Sequence, residues 1–177
     1  AKKELLAIAR QALIACTRNQ AMPPLGPNEG FPSDCGAFVT LHDSKDRLRG
    51  CIGCMSASEP LPEVVIEMAR SAALRDPRFS AVMADEVEGL SIEISVLSAQ
   101  TLVSSLEEIQ IGRDGLVIVS PSNRGVLLPQ VAEERNWDAK TFVEQTCIKA
   151  NLPAEAYQQA QVQVFRFSAE VFSESSL

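Results

Sequence analysis

The sequence has few aromatic residues, a single histidine, no long apolar run and no excess of positive charge. No stretch approaches the roughly 18–20 consecutive apolar residues that a membrane-spanning helix needs, so we expect no membrane association. The first residues do not resemble a secretion signal, because Glu4, Arg10 and Gln11 interrupt their apolar segment at helical spacing. With 16 basic and 23 acidic residues, the formal net charge of -7 makes nucleic acid an unfavourable partner. These absences predict a cytoplasmic protein.

The sequence also lacks a disulfide framework, a second pair of metal ligands and the common catalytic motifs. The five cysteines are odd in number and scattered, which fits a reducing compartment better than a disulfide framework. Cys51 and Cys54 form a C-x-x-C pair, yet a zinc site needs a second close ligand pair. The pair also follows a predicted strand, whereas a dithiol enzyme normally places its first cysteine at a helix start. Because no G-x-S-x-G, H-E-x-x-H or phosphate-loop motif occurs, the sequence predicts neither a metal nor a cofactor.

What the sequence does contain is a series of periodic apolar segments. Residues 1–177 fit the size of a single domain, of either one lobe or two. Helical periodicity predicts helices over 4–17, from Pro60 to just before Asp76, and over 137–150. Alternation and turn residues predict strands over 37–42, 47–52, 90–97, 116–119, 126–128 and 162–171. Their irregular order predicts an α+β fold with a mainly antiparallel sheet and flanking helices. Proline and glycine in residues 20–35 predict a wrapping segment or mobile flap.

The strand around Cys51 is the best candidate for chemistry. In an extended strand Arg49 and Cys51 share one face about 6.6–6.8 Å apart, so the guanidinium could lean toward the sulfur and favour the reactive thiolate. Gly50 and Gly53 would allow a ligand or another backbone to approach closely. The alternative is that Cys51 is a small buried hydrophobic residue and that the glycines serve a bulge.

His42 is, apart from the thiols, the only side chain whose unperturbed pKa lies near neutrality. If the intervening loop pairs His42 with Arg47, Phe38 faces Cys51. His42 then lies four strand positions, about 13 Å, from the sulfur. The sequence therefore predicts a surface histidine rather than a Cys–His pair.

Three further polar residues are candidates for binding. Glu93 and Ser95 lie on the polar face of their predicted strand and point either into a cleft or into solvent. Arg78 could bind a carboxylate or a phosphate, although an ion pair with Asp76 or a capping role is equally consistent with the sequence.

The motifs FVTLH, LRGCIG, DPRF, IEISVLS, GRDGLVI and LLPQVA occur in this order. In this respect the sequence resembles the AMMECR-one domain family, also called AmmeMemoRadiSam system protein A in microbes, from about Leu5 to Phe172. The resemblance implies an α+β domain of two sub-domains that enclose a cleft near LRGCIG. It also implies an intracellular protein in a pathway shared with Memo-like and radical-SAM proteins. Cys54 stands where relatives commonly have another small residue, so the C-x-x-C pair is not a family trait.

Two functions remain open on this evidence. One is an enzyme acting on a small molecule, with Cys51 as nucleophile or acid–base group and with Arg49 or Arg78 holding an anionic part of the substrate. The other is a non-catalytic binding or adaptor module, and of the two we prefer the small-molecule site by a narrow margin. The candidate catalytic residues are Cys51 and Arg49. The candidate cleft residues, carried by the motifs, are Leu48, Gly50, Ile52, Gly53, Arg78, Glu93, Ser95 and Gln130.

Overall fold

The computed structural model describes residues 1–27 and 30–177, which form two compact units. The first unit comprises residues 1–97 and 170–177, and the second comprises residues 98–169. The helices are α1 (Lys2–Thr17), α2 (Leu61–Leu74), α3 (Pro129–Glu134) and α4 (Ala139–Lys149). The strands are β1 (Gly36–His42), β2 (Leu48–Cys54), β3 (Ser91–Leu97), β4 (Thr101–Leu102), β5 (Asp114–Val119), β6 (Arg124–Leu127) and β7 (Gln163–Ser173). The predicted α+β class with a mainly antiparallel sheet is confirmed, whereas the cleft between sub-domains stays a prediction.

The first unit is built on three antiparallel strands in the order β2-β1-β3. One face of these strands is apolar: Val39, Leu41, Ile92 and Ile94 are fully buried in a core shared with α1 and α2. The alternation of a strand sends every second residue to the other face. We call that other face the polar face. Its members are Phe38, Thr40, His42, Cys51, Gly53, Ser91, Glu93 and Ser95.

The two helices of this unit follow from simple sequence signals. Helix α1 buries an apolar stripe that includes Leu5, Ala9 and Leu13, at the spacing of one helical face. Helix α2 begins with proline in its first turn, where a missing N–H costs nothing, and ends at Leu74. The next proline is Pro77. Because a proline disfavours helical geometry in the residue before it, the helix cannot readily continue through Asp76.

The second unit has its own sheet and core. Strand β5 pairs antiparallel with β6 and β7, and β4 adds to the far side of β7. Leu116 and Ile118 of β5 pack against Phe142 and Cys147 of α4. Helix α3, which the sequence patterns did not predict, begins at Pro129.

The hairpin of β1 and β2 forms as predicted, but its register does not. Thr40 pairs with Cys51, and His42 pairs with Leu48 rather than with Arg47. The register shifts between Leu41 and His42, leaving Arg49 as an extra residue in β2. The longer turn and the bulge each displace the later pairings by one residue, so the predicted pairing of Phe38 with Cys51 is wrong.

The loop explains why His42 pairs with Leu48. Asp43 accepts hydrogen bonds from the N–H groups of Lys45 and Arg47, at 2.9 and 3.0 Å. Asp46 has a positive φ of 59°, a conformation that aspartate tolerates better than most residues. These local bonds close the turn one residue later than the alternation of the strands suggests.

The predicted wrapping segment over residues 20–35 contains two residues, 28 and 29, that lie outside the described residues. Its remaining parts, 20–27 and 30–35, contain no helix or strand. Met22 and Phe31 pack against the core of the first unit. In the described ranges, none of the helices is long and apolar enough to cross a membrane.

Candidate functional site

A row of three side chains with polar or ionisable groups crosses the polar face of the first unit. Cys51 of β2, Thr40 of β1 and Glu93 of β3 are direct partners in register. Directly opposed residues have Cβ atoms about 4.5–5.5 Å apart, so adjacent members of the row are neighbours. The Thr40 hydroxyl donates a hydrogen bond to the Cys51 Sγ at 3.2 Å. The half-buried thiol thus has a polar partner on the same face.

A second row flanks the first. Gly53, Phe38 and Ser95 are in register on the same three strands. The Phe38 ring fills the place of a side chain at Gly53, because a Cβ there would lie 2.2 Å from it. On the other face, a Cβ on Gly50 would lie 2.3 Å from the carbonyl oxygen of Ala72 in α2. Both glycines therefore make room for groups of the protein itself.

The outer edge of β2 is held at Cys51 by the segment that follows α2. The Cys51 N–H donates to the Asp76 carboxylate at 2.9 Å, and the Arg78 guanidinium donates to the Cys51 carbonyl oxygen at 3.4 Å. Arg78 also donates two hydrogen bonds to Asp76, from Nε at 3.0 Å and from Nη2 at 2.7 Å. We call this arrangement the edge clamp (Asp76 and Arg78 on Cys51). It satisfies the two backbone groups that an edge strand would otherwise leave unpaired.

The edge clamp is an electrostatic unit. Asp76 is buried, with 4% of its surface exposed, whereas its partner Arg78 is exposed. The hydrogen bond from the Arg78 guanidinium, followed by those from backbone N–H groups, holds the pKa of Asp76 well below its usual range against the opposing effect of burial. The same bond raises the pKa of Arg78, and the charge of Cys51 contributes in the same direction. Arg78, rather than Arg49, is therefore the arginine whose guanidinium contacts Cys51, through the backbone carbonyl oxygen.

Arg49 does not fill its predicted role beside the sulfur. Its guanidinium donates to Glu86 at 3.1 and 3.2 Å and to the carbonyl oxygen of Ser80 at 2.9 Å. The bulge turns this residue toward the loop before β3, where the ion pair forms. A bond from the Met83 N–H, together with Arg49, lowers the pKa of Glu86.

His42 lies closer to Cys51 than predicted. It follows Thr40 by two residues on β1 and shares the polar face with it. Since Thr40 is the direct partner of Cys51, His42 is a diagonal neighbour of Cys51 rather than four positions away. Diagonal neighbours have Cα atoms about 7–8 Å apart, within reach of long side chains.

The C-x-x-C pair is split by the sheet. Residues three apart in a strand point to opposite faces, and Cys54 packs against the core of the first unit while Cys51 lies on the polar face. Both thiols are free. This geometry argues against dithiol chemistry.

The remaining predicted residues have different surroundings. Leu48 is 39% exposed at the start of β2, and Ile52 packs against the core of the first unit. Gln130 is exposed in α3, in the second unit. Membership of these three residues in the site stays a prediction.

A groove of about 780 Å³ lies elsewhere in the first unit. Cys54, Val64 and Met68 give it an apolar lining. It also has acidic and polar lining residues: Asp34, Glu59, Glu63, Glu67, Ser56 and Ser58. Within the described part of the chain none of its lining residues is basic, so its potential favours a cationic ligand or partner.

Comparison with known proteins shows the family of this chain. The sequence profile of AMMECR1 matches residues 6–172. The chain belongs to the AMMECR1 family. The AMMECR-one resemblance inferred from the motifs is thereby confirmed.

Relatives of this AMMECR1 chain include two curated archaeal proteins. Protein MJ0810 of Methanocaldococcus jannaschii is 41% identical over 153 residues, covering 82% of this chain and 76% of that protein. A protein of Methanothermobacter thermautotrophicus is 38% identical over 181 residues, covering 97% of this chain and 93% of that protein. The crystal structure of uncharacterized protein PH0010 from Pyrococcus horikoshii is similar with a TM-score of 0.81 and 34% identity, over 98% of this chain and 91% of that one.

Two residues of the site were missed as functional by the sequence patterns. Thr40 looked like an ordinary strand residue, and Glu86 lay in a segment without periodicity. The signal for Thr40 is its place on the face of β1 opposite Val39 and Leu41, which only a correct register connects to Cys51.

Proposed function

We propose that this AMMECR1 protein is a cytoplasmic enzyme that acts on a small molecule through the thiol of Cys51. The observation that supports this function best is that Cys51 has both a backbone held by hydrogen bonds and a half-buried thiol. The edge clamp binds both the N–H and the carbonyl oxygen of Cys51, and Thr40 donates to its sulfur. A nucleophile needs such positioning, because small displacements of a reacting atom cost large factors in rate.

The surroundings of Cys51 suggest how a substrate would bind. Arg78 is exposed and adjacent to Cys51, so it is the candidate for holding an anionic part of the substrate. Glu93 and Ser95 provide polar groups across the same face, and Phe38, the direct partner of Ser95, provides an apolar surface there. Arg49 is better explained as a structural partner of Glu86. Gln130 remains a candidate from the family resemblance alone.

The pathway follows from the family resemblance described above. Memo-like and radical-SAM proteins are the proposed pathway partners. A shared pathway would require the small molecule to be a substrate or product of one of those proteins.

The test compares Cys51→Ser and Cys51→Ala with Cys54→Ser. The matched control removes the other thiol of the same strand from its opposite face. Each purified protein is incubated with a metabolite extract, and consumed or formed metabolites are measured by mass spectrometry. We expect turnover in the wild type and in Cys54→Ser and none in either Cys51 variant. Equal turnover in all four proteins would exclude Cys51 as the reacting group.

A second function, a binding or adaptor module, is favoured by the groove. Its apolar lining and surrounding carboxylates suit a partner segment with basic and apolar side chains. Pull-downs with Memo-like and radical-SAM proteins test this alternative, using Glu63→Lys to reverse charge in the groove. Capture that is lost in Glu63→Lys and kept in Cys51→Ser would favour the adaptor. Failure of every complex would count against it.

A further inference from the structure

His42 has a position that its predicted role as a surface histidine does not explain. The bulge at Arg49 brings it diagonal to Cys51 across the β1–β2 pair. The β1–β3 pairing of Thr40 with Glu93 and of His42 with Ser91 makes it diagonal to Glu93 as well. His42 is therefore a diagonal neighbour of both a thiol and a carboxylate, and Thr40 lies directly between those two groups.

We propose that His42 is the general base for Cys51 and that Glu93 orients the imidazole and stabilises its protonated form. The assignment deepens the proposed function and depends on Cys51 being the reacting group. A nucleophile, a base and an orienting carboxylate within reach of each other form the arrangement that activates cysteine in unrelated enzymes. Here the three groups come from three adjacent strands, which the sheet holds in place.

The imidazole has freedom to turn toward either neighbour. In residues 1–27 and 30–177 no hydrogen bond or ion pair engages the His42 ring, and the side chain is half-buried. Catalytic hydrogen bonds are often long in the absence of substrate and tighten on binding. The Thr40 hydroxyl already donates to the sulfur, and the same bond would stabilise a thiolate.

The charges around His42 favour Glu93 as its partner. On β2 the nearby Arg49 is neutralised by Glu86. In the loop that follows β1, Asp43 is paired with Arg47 at 2.7 Å. Glu93 has no ion pair in the described part of the chain, and it is the acidic residue of β3 on the polar face.

The proposed step is balanced within the site and substrate. The proton of the Cys51 thiol passes to the unprotonated ring nitrogen of His42, and the sulfur lone pair forms a bond to an electrophilic carbon of the substrate. The bond from that carbon to its leaving group breaks with its electron pair. The protonated imidazole then returns the proton to the leaving group. The substrate class is accordingly a small molecule with an electrophilic carbon and a basic leaving group.

The test measures iodoacetamide alkylation of Cys51 at pH 6 and pH 9, located by tandem mass spectrometry, with Cys54 as internal reference. At pH 6 we expect His42→Gln and His42→Asn to slow Cys51 about tenfold or more, because an unaided thiol is almost wholly protonated there. At pH 9 the rates should stay within about twofold of the wild type, since pH alone then ionises the thiol. Glu93→Gln should produce a smaller loss confined to pH 6. Lys45→Gln, which removes a charge in the adjoining loop, should change neither rate.

The outcomes separate the two proposals. Unchanged alkylation at pH 6 in both His42 variants would overturn the assignment of His42, while turnover lost in Cys51→Ser would still support the proposed function. Equal losses at pH 6 and pH 9 in both variants would also overturn it, because proton transfer cannot matter once the thiol is ionised. Turnover retained in Cys51→Ser would instead refute the proposed function itself.

Discussion

Replacement of Asp76 by alanine tests the edge clamp most directly. The buried carboxylate accepts the N–H groups of Cys51 at 2.9 Å and of Arg78 at 3.1 Å, besides the guanidinium. A hydrogen bond to a charged group contributes about 1.5–3 kcal/mol, and water entering the space recovers part of that. The guanidinium is exposed and can be solvated. We therefore expect the free energy of unfolding to fall by about 2–4 kcal/mol.

The measurement combines urea unfolding, followed by far-ultraviolet circular dichroism, with hydrogen exchange at the Cys51 amide. That amide should exchange about two orders of magnitude faster in Asp76→Ala, because its acceptor is gone. Asp76→Asn keeps one acceptor and should give an intermediate loss. Arg75→Ala removes an exposed ion pair with Glu67 and should cost no more than about 1 kcal/mol.

The pH dependence of this difference has a defined sign. Because the pKa of Asp76 is lowered in the folded protein, its ionised form contributes stability above the unfolded value of about 3.9. That contribution is lost as the pH falls through the folded value. The gap between wild type and Asp76→Ala should therefore be full at pH 7 and shrink below about pH 4. An unchanged Cys51 exchange rate, or a gap that grows on acidification, would refute this account of the edge clamp.

Three further substitutions have definite expected outcomes. Gly50→Ala should lower the melting temperature, with a cost of about 1–3 kcal/mol, because its Cβ would meet the Ala72 carbonyl at 2.3 Å and backbone must move. Glu86→Gln should release Arg49 and lower the free energy of unfolding by no more than about 1 kcal/mol at pH 7, because the ion pair is partly exposed. Urea unfolding should show no difference from the wild type at acidic pH, where the lowered pKa of the Glu86 carboxyl is reached. Asp114→Asn should destabilise the second unit by about 2–4 kcal/mol, because this buried carboxylate accepts two hydrogen bonds from the Arg113 guanidinium and one from the Gln110 N–H. The fluorescence of the single tryptophan measures this unfolding. An unchanged unfolding midpoint in Gly50→Ala or Asp114→Asn would contradict the corresponding contact, as would a loss in Glu86→Gln that persists at acidic pH.

The partner contacts of Asp114 also fix its ionisation. Burial alone would raise the pKa of this carboxyl, but the hydrogen bonds from Arg113 and the Gln110 N–H, with the charge of Arg166, outweigh it and the pKa is lowered. Asp114 therefore stabilises the fold above its unfolded pKa and loses that effect on acidification. The expected loss in Asp114→Asn is accordingly largest near neutral pH.

The local elements were well predicted because their signals are local. Alternation of Ile92 and Ile94 with polar residues predicted β3, and the apolar stripe of α1 predicted a helix that buries Leu13. Proline marked the beginning of α2, where the ring fits the first helical turn. The sequence motifs also identified the family, which the profile match confirms.

The candidate site was predicted in composition but not in arrangement. Cys51, Arg78 and Glu93 were named from the sequence, and the structure brings the first two into contact and puts the third in the same cross-strand row. Arg49 was assigned to the sulfur on the assumption of an uninterrupted strand. A bulge adds one residue without changing composition, so periodicity gives no sign of it, and this one redirected Arg49 to Glu86.

By itself, the sequence determined the longer helices and strands, the fold class and the family, since these depend on periodicity and motifs within short stretches of chain. Only the tertiary structure decided which side chains meet at Cys51. The Asp76 carboxylate reaches it across 25 positions. Thr40 meets it through the register of β1 with β2, which also makes His42 its diagonal neighbour. Contacts over such separations depend on turn geometry and on strand pairing between distant segments, for which no local pattern of residues is sufficient.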